Sequence, residues 1–166
     1  HRPQPRIADG HSGRRDAHKR PAALRVLDFR DPRIRAAIVL SAPPFYGERD
    51  PAKILAPITI PTLHVTATED VIRIPGYYSE ARDRETVFEA TGSRAKALAV
   101  FEGGSHSIFT DRRGTGGATL NPQVKEATRA LSVAFLRRVF DGDEAAFRQW
   151  PSQFAGIVAR FRRDGL

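Results

Sequence analysis

The chain has 166 residues, a net charge of +8, and neither cysteine nor methionine. That length is one domain or part of one, large enough to bury a core without staples. The lack of cysteine excludes a disulfide framework and thiolate chemistry, and no apolar run approaches the roughly 20 residues of a membrane-spanning helix.

The charge is unevenly placed. Residues 1–35 hold ten Lys+Arg against four Asp, and residues 36–166 hold seventeen against fifteen Asp+Glu. The basicity therefore belongs to an N-terminal arm, residues 1–33, where His1-Arg-Pro-Gln-Pro and the Arg14-Arg15 to Lys19-Arg20-Pro21 region read as loop. The arm lacks the interleaved aromatics of a base-stacking surface, so a solvated tail is expected rather than a specific nucleic-acid site. The chain begins at His1. A start of translation upstream is expected, and the compartment stays open between cytoplasm and export after removal of a signal peptide.

Within the arm, only Arg6-Ile7-Ala8 hints at a strand. From Ile34 the character changes. Ile34–Ser41 is an apolar run of the buried-strand type, closed by Pro43-Pro44. A loop follows, with one helical turn near Ala52–Leu55. Thr62–Ala67 is predicted as the next strand, Tyr77–Ala90 as a helix with Ser79 at its N-cap and Gly92 past its end, and Ala97–Phe101 as a third strand. Asn121-Pro122 marks a helix start, with Val124, Ala127, Leu131, Ala134 and Phe135 at helical spacing. Asp143–Trp150 and Ser152–Arg160 read as two short helices, the second with Phe154, Ile157, Val158 and Phe161 on one face. Strands separated by helices or long crossovers predict an α/β fold, a mostly parallel sheet of three or four strands flanked by helices over residues 34–166.

Two strand ends carry chemistry. The run Pro61-Thr-Leu-His-Val-Thr-Ala-Thr-Glu-Asp-Val-Ile-Arg-Ile-Pro stops at a polar turn holding Asp70. The run Lys96-Ala-Leu-Ala-Val-Phe-Glu-Gly-Gly-Ser-His-Ser-Ile-Phe-Thr-Asp stops at a turn holding His106. A carboxylate and an imidazole at the ends of neighbouring strands form an acid–His pair: the carboxylate fixes the ring tautomer and stabilises its cation. The plainer alternatives are a turn-capping Asp70 and a surface-loop His106. Glu69 is the weaker acid, since the tip of the turn is the better position. His64, in mid-strand, reads as a hydrogen-bonded core histidine. His1, His11 and His18 are too irregularly spaced for a metal site. Gly114–Gly117 lacks the Gly-Lys-Ser/Thr ending of a phosphate loop and reads as a loop shaping the site mouth. Tyr77 and Tyr78 read as packing residues able to line an acyl pocket.

Gly10-His11-Ser12-Gly13 follows the weak strand at Arg6–Ala8. A Gly-x-Ser-x-Gly nucleophile elbow would need its second glycine at position 14, which is Arg14.

The stretch from about Asp31 to Phe161 resembles the C-terminal half of a bacterial α/β-hydrolase of the dienelactone hydrolase and acetylhydrolase-like group. The resemblance rests on Asp31-Pro-Arg-Ile-Arg-Ala-Ala-Ile-Val-Leu-Ser-Ala-Pro, on Pro61–Pro75, and on Phe101-Glu-Gly-Gly-Ser-His-Ser-Ile-Phe-Thr-Asp. Gly10-His11-Ser12 resembles that group's elbow. The order Ser12, Asp70, His106 matches the Ser…acid…His order of the fold.

The resemblance implies a serine esterase acting on a carboxylic ester or related acyl bond, with no cofactor or metal. Ser12 is then the nucleophile, His106 the general base and acid, Asp70 the orienting carboxylate, and the Gly13 amide an oxyanion donor. The strands that precede the elbow in that family, one of whose loops gives the second oxyanion donor, are missing here, and the elbow is out of step. A truncated or frame-disturbed copy is therefore expected. The competing expectation is a non-catalytic remnant whose open sheet edge pairs with a second copy or another chain.

Overall fold

Thr62–Ala67 (β2) and Lys96–Phe101 (β5) are buried at every residue. This is the pattern of strands covered on both faces, although β2 alternates the buried polar Thr62, His64 and Thr66 with Leu63, Val65 and Ala67. The computed structural model describes residues 31–44, 49–110 and 117–166, with the side chains of residues 117–119 left out. In chain order the other elements are β1 (Ala37–Leu40), α1 (Ala52–Leu55), β3 (Ile72–Ile74), β4 (Tyr77–Ser79), α2 (Ala81–Ala90), α3 (Gly117–Asp141), α4 (Ala145–Gln153) and β6 (Val158–Asp164). The main sheet runs β1-β2-β5-β6. The first three strands are parallel and β6 is antiparallel to β5. The fold is α/β, with a four-stranded, mostly parallel sheet. Among the described residues no helix is long and apolar enough to cross a membrane.

The two faces of the sheet are covered differently. Leu63, Val65, Ala67, Ala97, Ala99 and Phe101 meet Val124, Ala127, Leu131 and Phe135 of α3 and Phe147 and Trp150 of α4. On the opposite face Leu98 and Val100 meet Phe88 of α2. Alternation along each strand sends successive side chains to opposite faces, so one apolar run feeds both layers. Lys96 opens β5 and is 8% exposed, yet it is well satisfied. Its Nζ donates to the carbonyls of Phe88, Glu89 and Thr91, where α2 ends.

The structure corrects three expectations. The helix placed at Tyr77–Ala90 begins only at Ala81. Residues 72–79 are instead an antiparallel hairpin around Pro75-Gly76, with Gly76 at φ +78°. Ile72-Arg-Ile and Tyr77-Tyr-Ser flanking Pro-Gly are a turn signal, since proline presets the first turn position and glycine supplies the positive φ of the second. Ser79 accordingly ends β4, and the cap of α2 is Glu80, whose N–H donates to Asp83 Oδ2 at 2.9 Å. Second, Ser152–Arg160 is not a helix of its own: α4 runs on to Gln153, and from Val158 the chain is β6, paired with β5 from Lys96↔Asp164 to Phe101↔Val158. The N–H and C=O groups on that side of β5 need partners, and this demand overrides the helical spacing of Phe154, Ile157, Val158 and Phe161. Arg160 and Arg162 then reach back to Glu85 and Glu89 on α2. Third, α3 starts at Gly117, ahead of Asn121-Pro122. Asn121 does not cap it, because its Nδ2 donates to the carbonyls of Ile108 and Thr110 and ties α3 to the His106 loop.

His64 sits in mid-β2 between Val39 and Leu98, 4% exposed, with its ring edge-on to Phe88. It is a core residue as expected, but its Nε2 has no hydrogen-bond partner. Burial first, and the Lys96 charge second, push its pKa down to about 4. An unfolded histidine titrates near 6.5, so between these values the unfolded chain binds a proton that the folded chain refuses. This group's stabilisation is complete above pH 6.5 and falls by about 3 kcal/mol as the pH drops to about 4. A His64→Leu variant is expected to lose that much less stability between pH 7 and pH 4 in urea titrations. Equal losses in the two proteins would contradict it.

Candidate active site

β2 and β5 are parallel neighbours, so their carboxyl ends lie side by side. After Ala67 the chain makes a tight turn, Asp70 N–H to Ala67 O at 3.2 Å, which folds the Asp70 side chain back over the strand ends. After Phe101 the chain turns through Gly103 and Gly104, at φ +70° and +86°. A Cβ on Gly104 would stand 2.9 Å from Ile108 Cγ1, so this turn needs glycine by space as well as by conformation. Ile108 is fully buried and its N–H donates to Ser105 O at 2.9 Å, which closes the turn under His106. Thr68 fastens the two ends, its Oγ1 accepting from Gly103 N–H at 2.8 Å.

The result is an acid–His pair. His106 Nδ1 lies 2.9 Å from Asp70 Oδ1, with the carboxylate fully buried and the ring 40% exposed. An ionised carboxylate only accepts, so Nδ1 carries the proton and Nε2 is left as the basic nitrogen. Glu69 is exposed, whereas its neighbour Asp70 is buried and is the carboxylate that meets His106. Asp70 is also no mere turn cap, because its carboxylate is spent on side chains.

Three residues that the sequence did not single out as site candidates complete the constellation. Ser41, just after β1, is 4% exposed. Its Oγ lies 2.7 Å from His106 Nδ1, and its hydroxyl donates to Asp70 Oδ2. It has φ +53°, in the left-handed region that costs a non-glycine residue about 1 kcal/mol, and that turn aims it across the ends of β1 and β2. It is not a nucleophile: it is buried, its proton goes to the carboxylate, and it shares the ring nitrogen that faces the acid. Thr66 Oγ1 donates to the same Oδ2 at 2.8 Å. Arg84, 2% exposed on α2, places Nη2 3.2 Å from Oδ1. The sequence held a signal for Ser41, a polar residue closing an apolar strand ahead of Pro43-Pro44. It held none for Arg84.

Ser12 and Gly13 lie outside the described residues, as do Arg6–Ala8, the arm histidines and the loop 111–116. Tyr77 and Tyr78 belong to the hairpin, and the Tyr77 hydroxyl donates to Pro44 O at 3.1 Å, linking it to the loop after Ser41. Among the described residues no group of three or more His, Asp and Glu could hold a metal ion. No protein-family model and no curated protein matches the chain.

Proposed function

We propose that the chain carries the chemistry of a serine hydrolase acting on a carboxylic ester or related acyl bond. The observation that supports this reading best is the His106 Nδ1 to Asp70 Oδ1 contact, 2.9 Å, between turns at the ends of two adjacent parallel strands. It orients Nε2 as a base toward the partly exposed side of the ring. The resemblance to the dienelactone hydrolase and acetylhydrolase-like α/β-hydrolases supplies the remaining parts, Ser12 as nucleophile and the Gly13 N–H as oxyanion donor. In this reading Ser12 Oγ attacks the acyl carbon as Nε2 takes its proton, and the oxyanion is held by the Gly13 amide. Nε2 then gives the proton to the departing alkoxide, and water, activated in the same way, releases the acid and frees Ser12.

The testing experiment is labelling with a serine-reactive fluorophosphonate, followed by peptide mapping. A single adduct at Ser12 that disappears in His106→Ala is the expected result. A folded protein that takes no label, or takes it elsewhere, would sink the assignment. The second reading, a non-catalytic partner chain, draws on β1. Among the described residues β1 pairs on one side only, and Leu40 and Ile34 are 46% and 58% exposed. A folded, unlabelled protein that sediments as a dimer would favour it.

A further inference from the structure

We infer that Arg84 is a positioning residue for the acid–His pair: its buried guanidinium fixes Asp70 and through it the tautomer and orientation of His106. The inference rests on the hydrolase reading for its consequence in catalysis, but not for its geometry.

The carboxylate of Asp70 is fully buried and meets four side chains, three by hydrogen bond and one as an ion pair. Oδ1 faces His106 Nδ1 at 2.9 Å and Arg84 Nη2 at 3.2 Å. Oδ2 accepts from Thr66 Oγ1 at 2.8 Å and from Ser41 Oγ. The neutral hydroxyls fix the direction of Oδ2. Arg84 is the one full positive charge among these four contacts, and a buried carboxylate without a countercharge pays a large desolvation penalty.

The placement of Arg84 carries a cost that the Asp70 charge offsets. It occupies the first turn of α2, where the helix dipole disfavours a cation. Its Nε has no hydrogen-bond partner, and Nη2 meets Asp70 at ion-pair distance without hydrogen-bond alignment. Nη1 holds the group in place by donating to Ser79 Oγ and, at 3.3 Å, to Glu80 O. Ser79 in turn donates to Asp83 Oδ2 at 2.8 Å, and Asp83 accepts the Glu80 N–H. The end of β4 and the cap of α2 thus grip one end of the guanidinium and present the other to Asp70. The hairpin that separates Asp70 from α2 is what lets a residue fourteen positions later return to the same carboxylate. With Oδ1 held, the ring cannot turn Nδ1 away, and Nε2 stays available.

The test is proton NMR of the free protein with ¹⁵N-labelled histidine, following the His106 Nδ1–H resonance, identified by its loss in His106→Gln and Asp70→Asn. A far-downfield ring N–H that exchanges slowly with water is expected in the parent. It is retained in Arg84→Lys and lost, or exchanging at least about tenfold faster, in Arg84→Met. In Ser79→Ala, which keeps the cation but loosens its grip, faster exchange is expected as well. Turnover of a small activated ester falls about 10²-fold in Arg84→Met through kcat, with KM nearly unchanged, and Arg84→Lys recovers most of it. An unchanged ring N–H in a folded Arg84→Met variant overturns the inference, and so does a parent protein with no slowed ring N–H. If Arg84→Met does not fold, Ser79→Ala decides on the same criterion. A ring N–H that depends on Arg84 in a protein without esterase activity would uphold the positioning role and sink the hydrolase reading.

Discussion

An Asp70→Asn variant is expected to hydrolyse a small activated ester about 10⁴-fold more slowly than the parent, with kcat carrying the loss. The amide is nearly isosteric, but it cannot accept at both of its ends. Whichever way it turns, an NH₂ group faces either His106 and Arg84 or the hydroxyls of Ser41 and Thr66, where the carboxylate accepted from His106, Ser41 and Thr66 and paired in charge with Arg84. With the NH₂ group toward His106, the ring is driven to the tautomer that presents N–H, not a basic nitrogen, on its exposed side. The same change leaves the 2%-exposed Arg84 without its counterion. Removing one partner of a buried pair costs about 3–5 kcal/mol, so a lower urea midpoint is expected beside the lost activity. Rates are therefore to be compared at a temperature where circular dichroism shows both proteins folded. A folded variant within tenfold of the parent rate would mean that Asp70 is not the acid of a working triad.

The second large effect is expected in the core. Trp150 is 1% exposed, packs against Phe101, Phe154 and Phe161, and donates its Nε1–H to Ala127 O at 2.8 Å. It is the side chain that joins α4 to α3 and to both strands β5 and β6. Trp150→Ala removes that contact surface and leaves a cavity between rigid elements, at a cost of about 3–5 kcal/mol. Since a domain of this kind is stable by only about 5–15 kcal/mol, the urea midpoint is expected to fall by more than 1 M. Trp150→Phe keeps most of the packing and loses the hydrogen bond, at about 1–2 kcal/mol. A midpoint for Trp150→Ala within experimental scatter of the parent would show that α4 contributes nothing to the cooperative unit.

The strands at the centre of the fold were legible because each is a short run rich in apolar and β-branched residues that stops at a polar turn. Thr62–Ala67 and the Ala97–Phe101 run could be read directly, and with them the turns that hold Asp70 and His106. The spacing of Val124, Ala127, Leu131 and Phe135 likewise gave α3, because one helix face must meet the sheet. The edges were not legible in this way. Phe154, Ile157, Val158 and Phe161 have a helical spacing, yet the chain from Val158 becomes a strand because β5 offers a row of unpaired backbone groups. The hairpin at 72–79 was hidden by its brevity, two strands of three residues each.

The sequence by itself marked Asp70 and His106 as candidates, since each follows a run that reads as a buried strand. What only the tertiary structure decided is their company. Ser41, Thr66, Arg84 and His106 come from four separate stretches of chain and meet at one carboxylate because β1, β2 and β5 are parallel neighbours and α2 returns over their ends. Local pattern encodes whether a residue is buried. Which distant polar group satisfies it is set by strand order and register, and these are fixed only when the whole sheet closes its hydrogen bonds.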